Sequence, residues 1–211
     1  MLEQLAAVAR RHQTDGRPAE AEALYRQALA LDGSVASLHR ALGTALEDQG
    51  RVEEAEGCYR RTLVLTPDDA DGWCDLGMAL RRLARTEEAL GAYRRATVLE
   101  PGFVEAWFNL GNALTGLGRF EEAIRAYRQA LGLRPGDPET WCNLGNALHE
   151  RGRIAVIAAN QGAFANTEDA VNKLFASGSK AKRSKVRSFA LIFEELGDML
   201  RFPQALTERR G

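Results

Sequence analysis

A 34-residue period constrains this chain more than any other feature of its sequence. Proline, tryptophan, glycine, leucine, alanine and tyrosine each recur at this spacing in one shared register. The columns are Pro67/Pro101/Pro135, Trp73/Trp107/Trp141, Gly43/Gly77/Gly111/Gly145, Leu42/Leu76/Leu110/Leu144, Ala21/Ala55/Ala89/Ala123 and Tyr25/Tyr59/Tyr93/Tyr127. Columns that share a register do not arise by chance, so the sequence predicts an array of like units that stack on their neighbours.

The pattern predicts two helices in each unit, as residues 104–137 illustrate. Apolar residues at three- and four-residue steps place a first helix over Val104–Leu114, and Gly118 breaks it. Two adjacent glutamates then begin a second helix, because the helix dipole favours acidic side chains in the first turn. Pro135 ends the unit, because a proline cannot continue the preceding helix.

The small residues of the unit have a predicted packing role. We expect Gly111 and Ala123 to let the two helices approach closely. Trp107, Leu110 and Tyr127 are expected to fill the space between neighbouring units.

The pattern W-x-x-L-G, an aliphatic residue, G-R-x-E-E-A, Y, A and P resembles the tetratricopeptide repeat over about residues 2–153. The resemblance implies an all-α fold, a right-handed α-solenoid of antiparallel helix pairs with a C-terminal helical cap. The expected repeats are a weaker first one at 2–35, three full ones at 36–69, 70–103 and 104–137, and a partial fifth at 138–153.

The pattern stops within the fifth repeat, where the composition also changes. After Arg153 the expected E-E-A and tyrosine are missing, and all four lysines of the chain lie in the last 39 residues. The sequence therefore predicts a repeat array over residues 1–153 and a non-repeat helical tail or cap over 154–211. The abrupt change in residue usage also fits a fusion, an insertion or a change of reading frame.

Several roles are open for the tail. Ile154–Ala163 is apolar and is expected to supply a substitute second helix, and a further helix is predicted from Asn166 to about Ala176. Val186–Phe202 carries a broad apolar stripe at helical spacing. This segment either caps the array, or binds a partner or a second copy to form a homo-oligomer. A basic run just before it is a weaker indication of contact with nucleic acid or membrane.

Enzyme chemistry is not predicted. Metal-ligand spacings, phosphate loops and nucleophile motifs are absent from the sequence, so we expect no enzyme activity, no cofactor and no metal site. The three histidines are read as ordinary surface or groove residues, and the cysteines as unbridged thiols: His12, His39, His149, Cys58, Cys74 and Cys142. A net charge of −1, with no leader pattern and no long apolar run, predicts a cytoplasmic protein that binds neither nucleic acid nor membrane.

The resemblance implies a binding groove, because the first helix of each repeat lines the concave face in this family. The expected groove residues are Asn109, Asn112, Asn143, Asn146, Arg81, Arg82, Asp75, Met78 and Phe108. The four asparagines form a ladder of amides that suits the alternating donors and acceptors of a peptide backbone. Such asparagines are also common in the average repeat, so the ladder has a second reading as consensus sequence. The two arginines form a cationic spot suited to a carboxylate.

The favoured function is a protein–protein interaction scaffold that binds a peptide segment in the concave groove. Two alternatives remain open. The asparagine ladder is similar to the repeat region of O-linked sugar transferases, so the chain is alternatively the substrate-recognition region of a truncated glycosyltransferase-type protein. It is otherwise a self-assembling structural repeat protein. The absence of lysine from residues 1–153 leaves the family's lysine-based carboxylate clamp incomplete.

Overall fold

A computed structural model describes residues 1–160 and 166–174, together with residues 183 and 187. Within these residues the regular structure is entirely α-helical. The first helices of the successive units are α1 (Leu2–Thr14), α3 (Ala36–Glu47), α5 (Ala70–Arg82), α7 (Val104–Gly116) and α9 (Pro138–Asn160). The second helices are α2 (Pro18–Leu31), α4 (Val52–Leu65), α6 (Thr86–Leu99) and α8 (Phe120–Leu133), and α10 (Thr167–Leu174) follows α9.

The helices stack in chain order, each packing most extensively on the one before it and the one after it. Contacts also join first helices of successive units, namely α1 with α3, α5 with α7 and α7 with α9. The row of first helices therefore lies on the inner side of the stack. This arrangement confirms the predicted α-solenoid of helix pairs.

The two helices of a unit meet where a tyrosine ring lies on a glycine. A Cβ atom added to Gly111 would lie 2.5 Å from Cε1 of Tyr127, and Gly43 and Gly77 show the same contact at 2.6 Å with the tyrosines of their own units. Gly111 and Tyr127 are both buried. The predicted close approach at Gly111 is confirmed, and its cause is an aromatic ring that leaves no room for a side chain.

A residue with positive φ connects the two helices in four of the units. Three are glycines, Gly16, Gly50 and Gly118, with φ between 70° and 78°. In the third unit this place is taken by Ala84, with φ of 59°. An L-residue in this region is strained because its Cβ approaches the following carbonyl oxygen.

Ala84→Gly is therefore expected to stabilise the protein by about 0.5–1 kcal/mol, since the relief of strain exceeds the added freedom of the unfolded chain. The urea midpoint of unfolding measures the change. Gly50→Ala, the reverse exchange at the equivalent place, should lower the midpoint. A midpoint that falls on Ala84→Gly would contradict this account of the turn.

The tryptophans bind the loop that precedes their helix. The indole N–H groups of Trp73, Trp107 and Trp141 donate to the carbonyl oxygen of the proline six residues earlier, at 2.8–3.0 Å. His39 occupies the same column, and its Nε2 lies 3.0 Å from the carbonyl oxygen of Gly33. His39 thus makes the same contact with the preceding loop as the tryptophans of the later units. The interpretation of His39 as an ordinary surface or groove residue did not include this contact.

Neighbouring units are also joined by ion pairs between the residue that precedes one second helix and the second helix of the unit before it. Arg51 bridges both oxygens of Glu22 at 2.8 Å, and Arg85 bridges Glu56 in the next pair of units at 2.8–2.9 Å. Glu22 is buried, with 8% of its side chain exposed. The arginine of the G-R-x-E-E-A pattern therefore holds its own unit against the one before it.

The fifth unit differs from the others. Gly152 occupies the place of Gly118, yet it lies inside α9, which continues to Asn160 without a turn. Residues 154–160 of the expected substitute helix are consequently the end of α9, and the predicted boundary at 153/154 falls within a helix. The absence of E-E-A and tyrosine explains this, because the sequence that packs the second helix against the first in the preceding units is missing here.

The short helix α10 packs against α9. Asn166 Oδ1 accepts the backbone N–H of Asp169 at 2.8 Å, so the predicted helix start is confirmed. Val171 and Val156 are buried in this region. The predicted helix over Val186–Phe202 lies outside the described residues except for Arg187.

Candidate peptide-binding groove

The predicted groove residues lie on the first helices α5, α7 and α9 and differ in exposure. The half-buried members are Asp75, Met78, Phe108, Asn109, Asn112 and Asn143, and the exposed members are Arg81, Arg82 and Asn146. The half-buried set forms the floor of the surface that the first helices line, while the exposed set lies at its rim.

Asn112 is the centre of the amide ladder. Its Oδ1 accepts the hydroxyl of Tyr127 at 2.7 Å and Nδ2 of Asn143 at 2.9 Å. The second bond joins α7 to α9, the first helices of neighbouring units. Asn109 Nδ2 lies 3.9 Å from Cys74 Sγ, a weak contact that likewise reaches the preceding unit. The structure therefore brings three of the four asparagines into contact with a neighbouring side chain, whereas Asn146 is exposed.

These bonds leave part of each amide available. The two lone pairs of Asn112 Oδ1 are used, which leaves its NH2 group as a donor. Asn143 keeps its carbonyl oxygen as an acceptor. Asn112 thus holds Tyr127 and Asn143 in place as well as lining the candidate groove. Its interpretation from the sequence as a purely ligand-facing amide did not include the bond to Tyr127.

The tyrosine hydroxyls all point toward one place on the first helix, twelve residues earlier. Tyr25 donates to Gln13 at 3.2 Å, Tyr59 donates to Glu47 at 2.8 Å, and the Tyr127 hydroxyl lies 3.2 Å from Thr115 Oγ1. The constant offset of twelve residues is the sequence signal that could have found this set. The place lies at the edge of the groove, so the core tyrosines also fix groove side chains.

Phe108 supplies an aromatic surface next to the amides. Its ring centroid lies 6.3 Å from that of Tyr127, with the planes tilted by 55°. Offset and tilted pairs of this kind are favourable for two aromatic rings. The half-buried ring of Phe108 therefore has a fixed orientation at the groove floor.

The two arginines of the predicted cationic spot have different neighbours. Arg82 Nη1 donates to Glu47 of the preceding unit at 3.2 Å, so its charge is largely matched. Arg81 lies beside the hydroxyl of Tyr93, which is buried and makes no hydrogen bond of normal geometry. Burial raises the pKa of Tyr93 to about 12, and the Arg81 guanidinium partly opposes that rise.

Asp75 gives the groove a half-buried acid. Burial raises the pKa of its carboxyl to about 6, the nearby Arg40 opposes the rise, and the charges of Asp71, Glu47 and Asp69 add to it. Arg40 is itself paired with Asp71 at 2.7 Å. The part of the groove formed by α3 and α5 is therefore charged, and the part formed by α7 and α9 carries amides.

Asp75→Asn is expected to stabilise the protein at pH 7.5 by on the order of 1 kcal/mol. The folded state binds this proton more tightly than the unfolded state, so wild-type stability falls as the pH rises from about 4 to about 6. The advantage of the variant should therefore be full above pH 6 and shrink toward pH 4. Urea unfolding at pH 7.5 and at about pH 4 measures the difference in stability between the variant and the wild type. An equal difference at both pH values would contradict the partial burial of Asp75.

Other chemistry is sparse in the described part of the chain. No group of histidine, cysteine, aspartate and glutamate there has the arrangement of a metal site. All three cysteines are free, and burial raises the pKa of the Cys74 thiol to about 12. Over the same residues, no helix combines the length and the apolarity that crossing a bilayer requires.

Comparison with known proteins identifies the repeat. A sequence model of the tetratricopeptide repeat matches residues 7–70, 74–138 and 116–156. No curated protein matches the chain significantly.

Among solved structures, those of MamA and of a domain of RPAP3 have a similar fold. A crystal structure of MamA aligns with a TM-score of 0.64 at 21% identity, covering 90% of this chain and 96% of that chain. Another MamA structure is 27% identical over 71% of this chain and 88% of that one, also with a TM-score of 0.64. The first repeat domain of Spaghetti (RPAP3), solved with the HSP90 peptide SRMEEVD, is 25% identical over 53% of this chain and 89% of that one, with a TM-score of 0.52.

Proposed function

The chain belongs to the tetratricopeptide repeat family, and from this membership we propose that it is a protein-interaction scaffold whose concave groove binds a peptide segment of a partner. The observation that supports the groove most directly is the Asn112–Asn143 bond at 2.9 Å. It fixes two amides of neighbouring units side by side, so the groove is formed before a partner arrives. A preformed surface limits the ordering cost of binding to the peptide.

In this proposal the amides bind the peptide backbone. Asn109, Asn143 and the free NH2 group of Asn112 offer donors and an acceptor along the row of first helices. An extended peptide presents N–H and C=O groups in alternation, which amides match regardless of the peptide's side chains. Met78 and Phe108 would contact the apolar side chains of the same segment.

The charged part of the groove would select the side chains. Arg81 is exposed and is the cation proposed to bind an acidic group, with Arg82 released from Glu47 where a second cation is needed. The RPAP3 domain is bound to an HSP90 peptide, SRMEEVD, that has three acidic residues. The repeats of this chain lack lysine, so an acidic group would be bound here through arginine, whose planar guanidinium makes paired hydrogen bonds. Asp75 would favour a basic residue at the neighbouring position of the peptide.

Selection from a phage-displayed library of random 12-residue peptides tests the proposal. The selected peptides should bind Asn109→Ala/Asn143→Ala at least about tenfold more weakly than the wild type, because two half-buried side-chain amides that bind the peptide backbone are lost. Glu53→Ala/Glu87→Ala, on the second helices, is the matched control and should bind normally. Titration by fluorescence anisotropy gives the affinities. Selected peptides whose affinity is the same for both double variants would rule out the amide ladder.

A further inference from the structure

The strongest unassigned surface of the molecule lies on α9, around Gly145. We propose that this face is a second docking site, which binds an amphipathic helix of a partner protein that carries an aromatic residue. The site is distinct from the concave groove. It is called the Gly145 notch and comprises Trp141, Gly145 and Leu148.

The chain itself contains three occupied examples of the same site. The glycines of α3, α5 and α7 are buried beneath the tyrosine of the second helix next in the chain, with the ring 2.5–2.6 Å from where a Cβ atom would lie: Gly43, Gly77 and Gly111. The ring and the glycine are therefore complementary in shape. These repeated contacts define what fits such a notch, namely a helix with an aromatic residue on its apolar face.

In the fifth unit the same notch is open. Gly145 is exposed, and no described residue lies within 4 Å of a Cβ atom placed there. Trp141 is 55% exposed, whereas the equivalent Trp73 and Trp107 are half-buried. Leu148 is half-buried, although the equivalent leucines of α3, α5 and α7 are buried. The apolar interface that joins the two helices of the preceding units thus continues onto α9 without a partner among the described residues.

Helix α10 covers a different part of α9. The buried residues Gly152 and Val156 lie beyond Leu148, toward the end of α9 that packs with α10. The stretch from Trp141 to Leu148 rises by roughly 10 Å, or about two helical turns. The open part of the notch is therefore suited to a short helix of two to three turns.

A second copy of the chain offers no free helix of this kind within the described residues. All four second helices with a tyrosine have it buried in their own unit, and exposing one would unfold that unit: Tyr25, Tyr59, Tyr93 and Tyr127. A separate partner protein with such a helix is the occupant that we propose, and the chain's own apolar segment Val186–Phe202 is the alternative occupant that the experiment below tests. Around α9, Gly145 lies about 160° from Asn143 and about 100° from Asn146, so this partner would bind on a different side of the helix from the amide ladder.

A peptide with the sequence of residues 119–134 is the probe, because it contains α8, the helix that fills the equivalent notch at Gly111. Labelled peptide is titrated with the full chain, and binding is measured by fluorescence anisotropy. We expect saturable binding that Gly145→Phe weakens at least about tenfold, since the added ring fills the notch. Replacing the tyrosine of the peptide with alanine should weaken binding similarly.

Gly91→Phe is the matched control. Gly91 is likewise an exposed helical glycine with no described atom within 4 Å of a Cβ position, but it lies on α6. It should leave binding unchanged. Binding that is insensitive to Gly145→Phe would mean that the peptide enters another site, and the proposal would be wrong.

Two further results would overturn the proposal in favour of other occupants. A dimer in light scattering that Gly145→Phe abolishes would identify a second copy in the notch. Failure of the peptide to bind, with a melting temperature lowered by Gly145→Phe and not by Gly91→Phe, would show that the chain's own residues fill it. The groove proposal would survive either result, because it rests on Asn109 and Asn143 and is tested with different peptides.

Discussion

Gly111→Ala is expected to lower the free energy of unfolding by about 1–3 kcal/mol, although alanine is the better helix former. The new methyl group would lie 2.5 Å, 2.6 Å and 2.9 Å from three ring atoms of Tyr127. The ring is fully buried and its hydroxyl is bonded to Asn112, so it cannot swing aside. Helices α7 and α8 must separate instead, and the cost is measured as a lower urea midpoint of unfolding.

Gly145→Ala is the control for this prediction, because it makes the same change in the same column of the repeat. Its methyl group meets no described atom within 4 Å, so only the helix propensity changes. The variant should be more stable than the wild type by about 0.5–1 kcal/mol. Equal effects at both positions would show that the tyrosine ring does not set the spacing of the helices.

Glu22→Ala is expected to destabilise the protein by about 1–3 kcal/mol. The carboxylate is buried and accepts hydrogen bonds from Gln49 and Arg51, each at 2.8 Å, and also pairs with Arg26. Its removal leaves the interface between the first two units without its central acceptor. Denaturant unfolding measures the loss. Glu53→Ala, an exposed glutamate on α4, should change the stability by less than about 0.5 kcal/mol.

The same glutamate predicts a pH dependence. Burial would raise the pKa of Glu22, but the hydrogen bonds from Gln49 and Arg51 and the charge of Arg26 lower it below its ordinary value. A carboxyl with a lowered folded-state pKa contributes stability above its unfolded pKa and loses it as the pH falls through the folded one. The difference between wild type and Glu22→Ala should therefore shrink below about pH 4.5. A constant difference down to about pH 2.5 would contradict the pairing.

Much of the fold could be predicted from the sequence because the repeat records local and neighbouring contacts. The period of 34 residues, the glycine breaks and the prolines place the helices of the first four units, and each helix packs mainly on its neighbours in the chain. Packing between sequential elements leaves few alternatives for the topology. The close approach of the two helices at Gly111 was also predicted, but Tyr127 was expected between neighbouring units and lies instead on the glycine of its own unit.

The surface that the first helices line could be predicted from the sequence, but the hydrogen bonds between its side chains could not. The family pattern indicates which helix faces inward, and it selects side chains such as Asn109 and Phe108 by position alone. Position does not reveal that Asn112 bonds to both Tyr127 and Asn143, or that an arginine at the rim pairs with a glutamate of the preceding unit. These partners are 15 to 35 residues apart. Their hydrogen bonds depend on the rotation and rise between units, which the repeat pattern does not specify.

The sequence by itself determined the helix pairs, their order and the point where the repeat pattern ends, because these depend on periodicity, helix-breaking residues and close glycine contacts. Only the tertiary structure decided how the chain continues beyond that point. Gly152 has the sequence of a turn, as Gly118 does, yet α9 continues through it to Asn160. A glycine permits a left-handed turn and does not impose one, so the turn forms only where a returning helix packs against the first. In the fifth unit α9 runs on through the glycine instead, and Gly145 and Trp141 are left exposed.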